Sequence, residues 1–167
     1  ISHTRLGLTM PQTADTKIVI LDIDEKSLAE REQGGEGRWP WPRDRLALLM
    51  DKLFDKYEIA VVGFDVVFAE RDASSGIDVL DRLAQGDLRD NAAFQSAFRG
   101  LRSDLDFDAR FAPSLTGRPV ILAHYFNSTD NAERVNQLPA PVLPKGAFAG
   151  REVEFHRWQG YTGNLPR

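Results

Sequence analysis

A chain of 167 residues can bury one core, and its balance of 42% hydrophobic to 28% charged residues is ordinary for a globular domain. A net charge of −4 excludes the basic footprint of a nucleic-acid binder, so no nucleic acid is expected as a partner. The lack of cysteine excludes disulfides, thiolate metal sites and cysteine nucleophiles, and no run reaches the roughly 20 apolar residues that span a bilayer.

Ile1 to Thr16 reads as a lead-in broken at Pro11. Ile18 to Ile23 is a short apolar run rich in β-branched residues, which predicts a buried strand. Asp24 suits a helix N-cap, with Glu25 in the first turn, where negative charge meets the positive helix end. That helix, Glu25 to about Arg31, has to stop at the glycine-rich breaker Gln33 to Gly37. In Arg38-Trp39-Pro40-Trp41-Pro42-Arg43 the two prolines fix φ at alternate positions and force the residues before them toward extended geometry. The result is a stiff segment presenting two indoles, either as caps on the core edge or as a platform for a ligand or partner.

Asp44 to Tyr57 has the strongest helical pattern. Leu46, Leu49, Met50, Leu53 and Tyr57 fall at i, i+3, i+4, i+7 and i+11, one apolar stripe. Ile59 to Val67, in the apolar run ending at Phe68, is apolar on both alternate faces and predicts a central strand interrupted by Gly63 and Asp65. Strand, helix and strand make a β-α-β unit, which implies parallel strands.

Glu70 to Gly76 is a polar loop. Ile77 to Ala84 and Leu88 to Leu101 predict two helices, the second burying Phe94, Phe98 and Leu101. Asp104 to Leu115 reads as partly helical, and Pro119 to Phe126 as a third strand. Asn127 to Gln137 is loop-like, and the prolines of Leu138 to Pro144 predict an extended, irregular path. Val153 to Trp158 alternates like an edge strand, and Gly160 to Arg167 has no periodicity. The fold class is α/β: a mixed, mainly parallel sheet with helices on both faces in three layers, and long polar loops.

Acidic residues gather at the ends of the expected strands: Asp22, Asp24, Asp65 and Glu70. Asp22-x-Asp24 after an apolar strand is similar to aspartate phosphotransferases, with the first Asp as nucleophile, the second as acid, and Mg²⁺ held by oxygen ligands. Lys26 stands where that pattern has Thr or Val, and no late acidic pair follows the third strand. Capping and loop bracing are the competing roles. Arg38 and Arg43 flank the Trp-Pro segment, and a guanidinium makes bidentate bonds to carboxylates. Pairing Arg43 with Asp22 or Asp65 satisfies a charge that is costly if buried alone; binding an anionic ligand is the alternative. His3, His124 and His156 are widely separated and read as structural more readily than as a shared metal site. No cofactor is implied.

The succession DIDEKSLAE, GRWPWPR, helix and VVGFDVVFAE resembles the second of the CHASE families, extracytoplasmic sensory domains of bacterial transmembrane receptors. The likeness is close over Lys17 to Glu70 and weaker at Asp90 to Phe98, Arg118 to Phe126 and Leu138 to Pro141. It implies one periplasmic domain, 1–167, of an inner-membrane protein, with one membrane helix before it and usually several after. A cytoplasmic nucleotide cyclase, diguanylate cyclase, histidine kinase or protein kinase then follows. It implies a non-catalytic domain that answers an unknown small-molecule or protein signal. A homodimer is expected, because such outputs act in pairs. Asp22, Asp24, Arg38, Trp39, Trp41, Arg43, Asp65, Phe68 and Glu70 match the family pattern without assigned roles, and all of these but Phe68 are ligand-binding or loop-bracing candidates. The loop between Leu28 and Arg38 is longer than the family's. The family usually continues beyond a point like Arg167 with a further strand and helix, so a C-terminal strand is expected to be missing. The rival expectation is a Mg-dependent α/β phosphotransfer enzyme using Asp22 and Asp24.

Overall fold

The computed structural model describes residues 15–30, 34–129, 131–150 and 158–166. The chain divides into two compact units, Ile1–Pro40 and Trp41–Arg167.

In the first unit the apolar run Ile18 to Ile23 forms no strand, and Ile20 is 89% exposed. β-Propensity describes a side chain that fits a pleated, half-buried surface; without a ladder to join, the run stays irregular. The helix expected after it is one turn, Glu25 to Leu28, closed by the Leu28 N–H on the Asp24 carbonyl at 3.0 Å. The breaker then folds back on this turn: Glu36 N–H donates to Ser27 C=O and Gly37 N–H to Ala29 C=O, both at 2.9 Å. Gly35 is buried there because any Cβ would run into the Ala29 carbonyl.

The second unit opens with α1, Arg43–Asp51, which passes directly into a π-helical turn, Lys52–Lys56. Leu46 and Met50 are buried, and Leu49 and Leu53 pack beside them, as the apolar stripe predicts. Tyr57 leaves the stripe and lies exposed. The π turn carries more residues per turn than an α-helix, so a position eleven residues on is no longer in phase. Strand β1, Val62–Phe64, pairs in parallel with β2, Val120–Leu122, in the register Val62↔Val120 and Phe64↔Leu122. Between them come α2 (Ile77–Gln85), α3 (Ala92–Leu105) and α4 (Phe107–Leu115). The expected parallel pairing is thus realised, but between the second and third apolar runs, not the first and second.

Helices α1 and α4 pack on one face of this pair, around Leu46, Ala47, Met50 and Phe111. Phe64, Phe68 and Phe111 meet edge to face with centroids 5.1–6.2 Å apart. Val62, Phe64, Val120 and Leu122 are half-buried, while Gly63 and Ile121 point the other way and are exposed. The strand read as central is therefore covered on one face only, among the described residues.

The run Pro119 to Phe126 is two strands. β2 ends at Leu122, and β3 (Tyr125–Asn127) joins a second small sheet, in the order β3-β5-β4 with β4 (Arg134–Val135) and β5 (Gly160–Thr162). β3 runs antiparallel and β4 parallel to β5. The fold is thus mixed α/β with two small sheets. In α3, Phe98 is buried but Leu101 is exposed. Most of the edge strand expected at Val153 to Trp158 lies outside the described residues.

Candidate functional site

The N-terminal ends of α1 and α4 meet at a cluster of charge. Pro42 at the N-cap of α1 has no side chain to offer the first-turn amides. Asp72, from the loop after β1, takes that role: its Oδ2 accepts the Arg43 N–H at 2.6 Å, and its Oδ1 accepts the Ser74 N–H at 2.8 Å. Asp108 lies in the first turn of α4, behind the N-cap Asp106, whose carboxylate accepts the Ala109 N–H at 3.0 Å. Negative charge is favoured at such a helix end. Asp108 also bonds the Arg43 guanidinium through Oδ1 and the Asp72 N–H, at 3.1 Å, through Oδ2. Its side chain is 3% exposed and that of Arg43 12%. A second guanidinium nitrogen of Arg43 donates to the Glu70 carbonyl, and its carbon stands 5.4 Å from the Phe68 ring centroid.

Beside this cluster is a half-open cavity of about 300 Å³. Phe68, Phe111, Leu115, Leu122 and Leu165 give it apolar walls, and Arg43, Asp108, Thr116 and Asn164 supply polar atoms. Phe68 follows β1 and Leu122 ends β2, so the cavity opens at the carboxyl ends of two parallel strands. Crevices there are where open α/β sheets bind ligands, and an apolar lining with a few fixed polar groups is the usual make-up of a small-molecule site.

The segment after β5 closes this crevice. Asn164 accepts the Phe68 N–H at 2.8 Å and donates its amide to the Ala123 carbonyl at 2.9 Å, bridging the chains that leave β1 and β2. Leu165 N–H donates to Phe68 C=O at 2.7 Å. Asn136 ties Ala69 C=O to Gly163 C=O at 2.8 and 3.0 Å. Gly160 and Gly163 are buried where a Cβ would strike the backbone of residues 132–137. The spacing Gly-Tyr-Thr-Gly is the trace this close approach leaves in a tail without periodicity.

Of the candidate residues, Arg43 and Glu70 come together, the latter through its backbone. Asp65 is exposed, and Arg43 serves Asp108 in place of Asp22 or Asp65. The bracing expected for Asp65 does not form, because β1 presents it to solvent, where a carboxylate has no desolvation cost to offset. Trp41 packs against the core beside α1. Asp22, Asp24, Arg38 and Trp39 belong to the first unit and are exposed. Asp24 works as a cap: its carboxylate accepts the Ser27 hydroxyl at 2.7 Å and the Ser27 N–H at 2.8 Å. The hydroxyl bond first, then the amide bond, hold it below the usual carboxylate range. Among the described residues no three His, Asp or Glu side chains stand together as a metal site. His124 meets Phe126 edge to face at 5.1 Å, and His3 and His156 lie outside the described residues.

Asp72, Asp108, Asn164 and Leu165 are site residues that sequence reasoning missed. The one available signal was Asp106-Phe107-Asp108, an N-cap followed by a first-turn acid.

No helix among the described residues is long and apolar enough to cross a membrane. No curated protein and no solved structure matches the chain. The CHASE2 domain matches residues 3–153. With most of its length so matched, the chain belongs to the CHASE2 family, a family of extracellular sensory domains.

Proposed function

We propose that this domain senses a small molecule in the crevice between α4 and the carboxyl ends of β1 and β2. The single observation that carries the reading is the cavity itself: apolar walls, with a buried Arg43–Asp108 pair and a hydrogen-bonded Asn164 in its lining. The domain works outside the cytoplasm, in the periplasm, on an inner-membrane receptor anchored by membrane helices. Occupancy shifts the population of two domain states, and the helices couple that shift to a nucleotide cyclase, a diguanylate cyclase or a kinase. The domain does no chemistry itself. It acts as a homodimer, in keeping with outputs that work in pairs, and self-association is weak without the membrane helices. β1 and β2 are part of a mainly parallel, three-layer sheet, whose second layer belongs over the bare side at Val61 and Ile121.

A thermal-shift panel of small amides, amines, carboxylates and sugars tests the site. At least one compound should raise the Tm of the wild type and lose its effect on Ala112→Phe, which fills the cavity. If no compound shifts the wild type, or the shift is the same in a folded Ala112→Phe protein, the cavity is not the sensing site.

A further inference from the structure

Asn164 is an unusual wall for a binding crevice. Its side-chain carboxamide is chemically a peptide group, and both halves are used: the oxygen accepts Phe68 N–H and the nitrogen donates to Ala123 C=O. The crevice therefore offers one donor and one acceptor from the loops that leave β1 and β2, spaced for one amide. The next residue, Leu165, lines the apolar cavity with Leu122 and Phe111 while its own N–H is held by Phe68 C=O. An amide followed by an apolar side chain is what a ligand for this crevice would have to present.

We propose that Asn164-Leu165 is a tethered occupant of the sensing crevice, and that the ligand is a small amide carrying an apolar group which displaces it. This rests on the sensor reading of the cavity and deepens it. The amide of the ligand takes the Phe68 N–H and the Ala123 carbonyl, and its apolar group takes the place of Leu165. Residues 164–166 then lose the three hydrogen bonds that pin them to Phe68 and Ala123. The segment stays attached through β5 and the residue after it: the Tyr161 and Gly163 amides hold Glu133 and Val135 at 3.0 Å. Ligand binding thus converts into release of one short stretch, with the rest of the unit intact. A tether competes at an effective concentration of roughly millimolar, so a free ligand has to overcome it.

The probe is acetyl-Asn-Leu-amide, the occupant supplied in trans. Calorimetry on the Asn164→Ala/Leu165→Ala chain should show binding about 10-fold tighter or more than on the wild type, because the tether no longer competes. In the wild type at tens of millimolar peptide (about 10 times the tether's effective concentration), amide exchange should speed up at Leu165 while Phe68 stays protected. The peptide replaces the bond on Phe68 N–H but leaves the Leu165 N–H free. If the double variant does not fold, this exchange pattern alone decides. Equal affinity for both folded proteins, or exchange at Leu165 unmoved by the peptide, overturns the proposal. A panel compound that binds the cavity and leaves Leu165 exchange unchanged would keep the sensor reading and end this one.

Discussion

Two arginines fasten the same two helices, one at each end, in opposite surroundings. Arg43 opens α1 and reaches Asp108 in the first turn of α4. Arg118, just beyond α4, reaches back to Asp51 at the far end of α1 and to Asp55 in the π turn that follows, at 2.8 Å each, and to the Ser114 carbonyl at 2.9 Å. The two clamps fix α1 and α4 side by side, running in the same direction. The side chains of Arg43 and Asp108 are 12% and 3% exposed, while those of Arg118, Asp51 and Asp55 are 21%, 51% and 64% exposed. Counting bonds would rank the Arg118 clamp higher, since it holds two carboxylates and stands 5.3 Å from the Phe54 ring. Environment reverses the order. Water screens the exposed pairs, whereas removing either partner of the buried pair takes an opposite charge from the other in a poor solvent.

The largest effect should follow from opening the buried clamp. Asp108→Ala leaves the Arg43 guanidinium and the Asp72 N–H short of an acceptor where water is scarce, and should cost about 3–5 kcal/mol. Urea titration of the 167-residue chain measures this. A loss under about 1 kcal/mol would place Asp108 in solvent and erase the difference between the two clamps.

Much of the second unit's framework was legible in the sequence, and little of the site. The stripe Leu46, Leu49, Met50 and Leu53 announces its own buried face, because helical periodicity is a local property. Strand pairing is not local. Ile18 to Ile23 and Val120 to Leu122 look alike as apolar runs, yet only the latter has a ladder with β1. The break at Ala123-His124, which sends β3 into another sheet, has no glycine or proline to mark it. Arg43 was legible as a residue in need of a carboxylate, but its partner is 65 positions away among 25 acidic residues. Asn164 carries no pattern at all. Its importance comes from where the chain returns, and only the fold supplies that.

Opening the exposed clamp should do much less. Arg118→Ala is expected to lower the Tm by no more than about 4 °C in low salt, and by less in 1 M NaCl, where the Debye length shrinks to about 3 Å. Its partners, Asp51 first, raise the Arg118 pKa further above its ordinary value, so the guanidinium itself stays charged. Salt is the variable that reads the exposed pairs. Scanning calorimetry of the variant at both ionic strengths is the check. A loss as large as that of Asp108→Ala, unmoved by salt, would mean that packing on Phe54 outweighs the charge pairs.

The smallest effect belongs to a carboxylate stabilised without an arginine. Asp24, in the first unit, is held below its ordinary value of 3.8 by the Ser27 hydroxyl and then by the Ser27 N–H. Its folded pKa is depressed, so its contribution to the Glu25 to Leu28 turn is present above the ordinary value and is lost as pH falls through the folded one. The turn should therefore be indifferent to pH near neutrality and loosen only below the usual carboxylate range. Ser27→Ala removes the hydroxyl, the larger cause, and keeps the amide. NMR titration of the Asp24 carboxyl should then show the midpoint moving up toward the ordinary value without reaching it. An unchanged midpoint would mean that the hydroxyl bond does not form in solution and that the backbone amide alone holds the cap. If the midpoint moves as expected, a hydroxyl and an amide suffice at the surface for what the buried Asp108 needs a guanidinium to do.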